Sequence, residues 1–131
     1  MHTREEKMQA FGRLLDVLDE LREKCPWDHK QTNESLRPNT IEETYELCDA
    51  LVKDDVNNIC KELGDVLLHV CFYAKIGSEK EQFDIADVCN RLCDKLIFRH
   101  PHVYGGAVAN GAGDVVKTWE QIKLKEKDGN K

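Results

Sequence analysis

Residues 41–70 read Ile41-Glu42-Glu43-Thr44-Tyr45-Glu46-Leu47-Cys48-Asp49-Ala50-Leu51-Val52-Lys53-Asp54-Asp55-Val56-Asn57-Asn58-Ile59-Cys60-Lys61-Glu62-Leu63-Gly64-Asp65-Val66-Leu67-Leu68-His69-Val70. Two helical periodicities meet here at a polar turn. Ile41, Tyr45, Cys48 and Leu51 or Val52 lie along one stripe of the first run. Ile59, Leu63, Val66, Leu67, Val70 and Ala74 repeat at helical spacing in the second, which reaches about Ile76 with Gly77 as its C′ residue. Lys53-Asp54-Asp55 supplies the turn and an N-cap between them. The reading is an antiparallel helical hairpin. Beyond Asp65 the second helix is apolar on more than one face, as expected of the buried centre of a bundle.

Outward from the hairpin the same period recurs. A first helix is expected from about Thr3 to Glu23, with Met8, Phe11, Leu14, Leu15, Leu18 and Leu21 on one face and Thr3-x-x-Glu6 as a capping box. Cys25-Pro26-Trp27-Asp28 breaks it, and a polar loop is expected to run to Pro38, so that the acidic helix starts near Asn39 or Thr40. A fourth helix opens at Asp84, carries Ile85, Val88, Leu92 and Leu96, and must stop before His100-Pro101. Residues 101–113 hold four glycines and read as a mobile loop. A last helix from about Asp114 carries Val115, Trp119 and Ile122 before a charged tail. Strand alternation is absent from the sequence. The expected fold is an all-α bundle of about five helices.

The composition fits this. A chain of 131 residues suits one domain, and 40% apolar with 34% charged residues is a soluble composition. No apolar run nears the ~18–20 residues of a membrane span, and the charged stretch from Met1 to Lys24 is unlike a secretory signal. The six cysteines (Cys25, Cys48, Cys60, Cys71, Cys89 and Cys93) include no C-x-x-C pair. They read as small core residues of a reduced, cytoplasmic protein. The net charge of −6 excludes nucleic acid and anionic lipid as default partners. It also has an address. Eight acids and two lysines between Glu42 and Asp65 account for all of it, and the other 107 residues balance to zero.

Glu43-x-x-Glu46 and Glu62-x-x-Asp65 each put two carboxylates on one helix face. Around Asp54, Glu46 and Glu62 are equidistant at eight residues, and Glu43 and Asp65 at eleven. In an antiparallel hairpin the four acids then form two matched layers, provided that their azimuths agree. Carboxylates so crowded repel and raise one another's pKa. A cation between them resolves the conflict, and all-oxygen ligands select Mg²⁺, then Mn²⁺. Mg²⁺ held in this way keeps positions open for substrate phosphates. The competing assignments are Glu43 as the N3 member of a capping box begun by Thr40, or a merely solvated acidic face. A di-iron site is disfavoured because no Glu-x-x-His occurs, and a Cys/His site at Cys89, Cys93, His100 and His102 lacks zinc-ribbon spacing.

A series of motifs follows in order: Cys25-Pro26-Trp27-Asp28, Gln31-Thr32, Ser35-Leu36, Ile41-Glu42-Glu43-x-Tyr45-Glu46, Glu62-Leu63-Gly64-Asp65 and Arg99-His100-Pro101-His102-Val103-Tyr104-Gly105. This series resembles the MazG nucleoside triphosphate pyrophosphohydrolases over roughly residues 8–125. The resemblance implies a tight homodimer of four-helix-bundle type. It also implies Mg²⁺-dependent hydrolysis of NTPs and dNTPs to monophosphate and pyrophosphate. Carried over by position, it implies Glu43, Glu46, Glu62 and Asp65 as metal ligands, with Glu42 beside them to orient water. It further implies Lys95 and Arg99, four apart, as contacts for the phosphate chain. Trp119 is implied as a base-stacking residue, although it shares a stripe with Val115 and Ile122 and reads equally as core.

The chain departs from the resemblance at Asn33 and Asn39, to which no role is assigned. Relatives of this type often carry two such domains. The chain therefore reads as a single domain over 1–131, an N-terminal half, with 114–131 a final helix and charged tail leading toward a second domain. The expected mechanism is attack of activated water on the α-phosphorus, with Glu43 or Glu42 as proton acceptor. The alternative is a non-catalytic dimerisation or nucleotide-sensing domain of a larger enzyme.

Overall fold

The computed structural model describes residues 1–105 and 111–129. Seven helices occur among these residues: α1 (Arg4–Lys24), α2 (Pro26–Lys30), α3 (Asn33–Val52), α4 (Val56–Glu79), α5 (Ile85–Phe98), α6 (Pro101–Tyr104) and α7 (Ala112–Gly129). No strand occurs among them. The chain forms two compact units, Met1–Ile85 and Ala86–Lys131.

In the first unit α3 packs along α4, and α1 packs on α4 and α2. Thr3 caps α1 as its sequence predicts: its hydroxyl accepts from the Glu6 amide at 3.1 Å, and the Glu6 carboxylate accepts from the Thr3 amide at 2.9 Å. Leu18, Leu36, Cys71, Phe72 and Ile76 are buried together, with Phe11, Leu14, Leu15, Leu68, Tyr73 and Ile85 packed on them. Burying side chains of this size stabilises by about 1.5–3 kcal/mol each. The C-terminal half of α4 is thus the buried centre.

Arg22 pins the corner between α1, α2 and α4. Its guanidinium donates to the carbonyls of Asp28 at 2.6 Å and Gln31 at 2.8 Å, and makes a two-pronged ion pair with Glu79 at 2.8 and 2.9 Å. It also lies over the Phe72 ring, 5.5 Å from the centroid.

Several expectations are corrected. Residues 25–38 are helical in two pieces rather than a loop. Pro26 starts α2, where its missing N–H is no loss. Thr32 then caps α3 through a reciprocal pair with Ser35, at 3.1 and 2.8 Å. Pro38 lies inside α3 and gives up one ladder bond. Gly77 does not end α4 but lies within it, and the Phe83 ring packs on it so closely that a Cβ would meet the ring at 2.7 Å, which explains the glycine. The chain reverses at Asp54, with φ 51°, a left-handed conformation that Asp tolerates, and Asp55 caps α4.

The cysteines are not a core set. Cys71 is buried, but Cys48, Cys60, Cys89 and Cys93 are exposed because they lie on helix faces turned away from the chain's own core. In the second unit, the expected loop over 101–113 is partly helical, since Pro101 initiates α6 and α7 begins at Ala112; residues 106–110 lie outside the described residues.

Candidate metal centre

The inward face of α3 is not its apolar stripe. Leu36 and Ala50 are buried and Thr40, Glu43 and Leu47 half-buried, whereas Ile41, Tyr45 and Val52 are 66%, 78% and 86% exposed. Glu43 faces α4, while the apolar stripe faces away. On α4 the same inversion places Glu62 inward at 7% exposure, with Asp65 and His69 half-buried, while Leu63, Leu67 and Val70 are exposed. Because α3 begins at Asn33, capped by Thr32, Thr40 is an interior helical residue and Glu43 is not the N3 residue of a capping box.

Glu43, Glu62 and Asp65 converge. One carboxylate oxygen from each lies within 4.8 Å of the other two, the only such group of potential ligands among the described residues. Glu43 Oε2 and Glu62 Oε2 are buried without a hydrogen-bond partner there, and Glu62 Oε1 has Lys61 Nζ at 3.5 Å. A buried carboxylate oxygen with no donor is costly, and three carboxylates cannot donate to one another when ionised. The Glu43 carboxyl is accordingly pushed above its ordinary 4.5, first by burial, then by Glu46, Asp65, Glu62 and Glu42. An all-oxygen set with orphaned buried oxygens fits a hard divalent cation such as Mg²⁺ or Mn²⁺.

The other expected residues are placed as follows. Glu46 is exposed and outside the converging three, sharing an open cleft with Glu62, Lys53 and Lys61. Glu42 is exposed beside Glu43. Lys95, Arg99 and Trp119 belong to the second unit. Lys95 is exposed, but the Arg99 guanidinium is engaged by Glu126 at 2.7 and 3.3 Å. This pairing holds Glu126 below the ordinary carboxylate range. Trp119 is half-buried edge-on to His100, centroids 5.1 Å apart, with its indole N–H buried and unpartnered among the described residues. Cys89, Cys93, His100 and His102 form no ligand cluster among the described residues.

Sequence reasoning passed over Glu126, for which the tail gives no signal, and a polar group next to the acids. Thr40 Oγ1 lies 2.6 Å from His69 Nδ1 and 2.5 Å from the Tyr73 hydroxyl. Its signal was available: Thr40 precedes Glu43 by three, and Asp65, His69 and Tyr73 follow at intervals of four. Burial pushes the His69 imidazole below its ordinary 6.5, against a smaller opposite effect of Asp65.

Comparison with known proteins places the chain in a family. Residues 31–104 match the MazG nucleotide pyrophosphohydrolase domain. The nucleoside triphosphate pyrophosphohydrolase of Escherichia coli strain K12 is 42% identical over 123 residues, 92% of this chain and 47% of that protein. The nucleoside triphosphate pyrophosphohydrolase/pyrophosphatase MazG of Thermotoga maritima is 46% identical over 123 residues, again 92% and 47%. The chain thus spans about half the length of these curated relatives. A crystal structure of a mazG-related protein from Thermotoga maritima superposes with a TM-score of 0.73 at 25% identity, covering 86% of this chain and 98% of that one. The acidic hairpin, the motif series and these likenesses agree, and the chain belongs to the MazG nucleotide pyrophosphohydrolase domain family.

Proposed function

We propose that the chain hydrolyses nucleoside triphosphates, NTPs or dNTPs, to monophosphate and pyrophosphate in a Mg²⁺-dependent reaction, with Mn²⁺ as a possible substitute. The observation that carries this reading is the convergence of Glu43, Glu62 and Asp65 within 4.8 Å with two buried oxygens left unpaired. These three residues hold the cation, and Glu46 completes the set from the cleft mouth. When bound, Mg²⁺ supplies Lewis-acid polarisation of the phosphate oxygens and lowers the pKa of water.

The residues divide the remaining work. Glu42, exposed and outside the converging three, orients the attacking water and takes its proton, with Glu43 the alternative acceptor. Water oxygen bonds to the α-phosphorus as the bond from that phosphorus to the α–β bridging oxygen breaks, and pyrophosphate leaves with the bridging oxygen. Lys95 and Arg99 receive the diphosphate, Arg99 by exchanging Glu126 for phosphate oxygens. Trp119 stacks the base.

The working form is a homodimer, and the compartment is the cytoplasm. Supporting the dimer, the outward stripes of α3 and α4 leave Ile41, Tyr45, Val52, Leu63 and Val70 uncovered, and exposed apolar surface of this kind marks interaction faces. No helix of the described residues is long and apolar enough to cross a membrane.

A second reading, a nucleotide-sensing or dimerisation half of a longer enzyme, is favoured by the Arg99–Glu126 pair, which occupies the guanidinium expected to take phosphate. Product analysis separates the two. Incubation with each NTP and dNTP, with Mg²⁺ or with EDTA, gives EDTA-sensitive pyrophosphate and monophosphate if the chain is the enzyme. Binding without turnover points to sensing.

A further inference from the structure

The cation site as read above needs its carboxylates held together before any cation arrives. We infer that Thr40, clasped by His69 and Tyr73, is a positioning residue that locks α3 on α4 in the register where Glu43 opposes Asp65. The inference rests on the cation reading of the acidic cluster.

Thr40 stands one turn from Glu43 on α3, on the side away from the Asp54 turn, and His69 stands one turn from Asp65 on α4, on the same side. The Thr40–His69 layer is therefore stacked directly on the Glu43–Asp65 layer. Like charges in that layer push α3 and α4 apart, and a bond between the helices in the adjoining layer opposes that push. Two hydrogen bonds cross between the helices at this point, and one hydroxyl makes both. Thr40 Oγ1 lies 2.6 Å from His69 Nδ1, 2.5 Å from Tyr73 OH and 3.2 Å from the Leu36 carbonyl oxygen. A hydroxyl has one proton and two acceptor sites, so three neighbours saturate it. It donates to Leu36 and accepts from the tyrosine hydroxyl and the Nδ1–H tautomer, or donates to a bare Nδ1 and accepts from tyrosine. Either arrangement fixes α3 against α4.

The two rings brace one another edge-on, centroids 6.4 Å apart at 71°, and all three residues are half-buried, so water competes weakly for these bonds. The function differs from packing. Valine would fill the space of Thr40 yet make neither cross-helix bond, whereas serine would keep both. Groups hydrogen-bonded to metal ligands typically govern affinity by 10–100-fold, and Thr40, which acts through the helix register, is expected at the lower end of that range.

The test is a Mn²⁺ titration of the metal-free chain, with unbound Mn²⁺ read by its electron paramagnetic resonance signal and folding checked by circular dichroism. Wild type is expected to bind Mn²⁺, T40V to need about tenfold more for half-saturation, and T40S to stay within about twofold of wild type. Tyr73→Phe, which removes one bond at constant volume, is expected to shift the midpoint in the same direction by less, and it decides the matter if T40V does not fold. A folded T40V, or Y73F in its place, that binds as wild type overturns the inference and leaves the cation reading intact, as does a T40S as weak as T40V. Wild-type protein that binds no Mn²⁺ overturns the cation reading itself.

Discussion

Glu43 and Glu62 face each other across the α3–α4 hairpin, with ligand oxygens within 4.8 Å and one buried, unpartnered oxygen each among the described residues. At that distance two ionised carboxylates oppose each other by about 3 kcal/mol at an effective dielectric near 20. The rest of the hairpin must outweigh this when no cation is present. Glu62→Gln removes one charge and lets an amide donate to the remaining carboxylates. In EDTA the variant is expected to be more stable than wild type by about 1 kcal/mol, which raises the melting temperature by roughly 3–4 °C for a chain of this size. Mg²⁺ should raise the melting temperature of wild type and leave E62Q almost unmoved. An E62Q that is less stable in EDTA and still stabilised by Mg²⁺ would refute this account of the pair.

The pH dependence follows from the direction in which Glu43 is displaced. Its folded-state pKa is raised, so its ionisation disfavours the fold. That penalty is absent well below the ordinary 4.5, grows as pH rises from there, and is complete above the raised value. His69, lowered from 6.5, acts oppositely as pH falls, and Glu79, lowered by Arg22, loses its contribution only below 4.5. Comparing wild type with Glu43→Gln in EDTA cancels those two. The advantage of E43Q in melting temperature is expected to widen between about pH 4.5 and pH 7, and to reverse when saturating Mg²⁺ is present. A gap that is constant with pH would show that Glu43 does not carry the strain.

Tyr45 is 78% exposed on the apolar outer stripe of α3. With a second copy covering that stripe, Tyr45→Lys places a charge in an apolar interface and leaves the inward acids untouched. Wild type is expected to sediment as a dimer at micromolar concentration, and Y45K to shift toward monomer by at least tenfold in dissociation constant. A monomeric wild-type protein would remove the dimer from the proposal.

Arg99 can receive a phosphate only by leaving Glu126, 2.7 Å away. Glu126→Gln weakens that competition, because a neutral amide holds a guanidinium less firmly than a carboxylate does. The expected result is a several-fold lower KM for the triphosphate with little change in kcat. Arg99→Met should raise KM instead. Equal KM values in E126Q and wild type would take Arg99 out of the substrate contacts.

The sequence carried most of the helical architecture, and the reasons for its failures are local. The hairpin was legible because Asp54 and Asp55 supply a turn and a cap, and Thr3-x-x-Glu6 marked the start of α1. Pro38 misled about the start of α3, which Thr32 and Ser35 cap six residues earlier, so that the proline lies inside the helix at the loss of one ladder bond. Gly77 looked like a helix end, and only the later approach of Phe83 explains it. The larger failure was the direction of burial. Periodicity placed Ile41, Tyr45 and Val52 on one stripe but not the side on which they lie, and Glu43 took the inward side instead. Distances to the turn matched Glu43 with Asp65 and Glu46 with Glu62; the converging three keep the first pair and Glu62 but leave Glu46 outside. Thr40 with His69 and Tyr73, and Arg99 with Glu126, depend on tertiary contacts that no spacing argument weighed.

The central claim is that the converged carboxylates make this chain a cation-dependent pyrophosphohydrolase. The most direct measurement is pyrophosphate release from nucleoside triphosphates under Mg²⁺ by wild type and by Asp65→Asn, with the helical circular dichroism of both recorded in parallel. The account predicts release by wild type and a loss of at least a hundredfold in D65N with the helical signal unchanged. A folded D65N that releases pyrophosphate at the wild-type rate would contradict it.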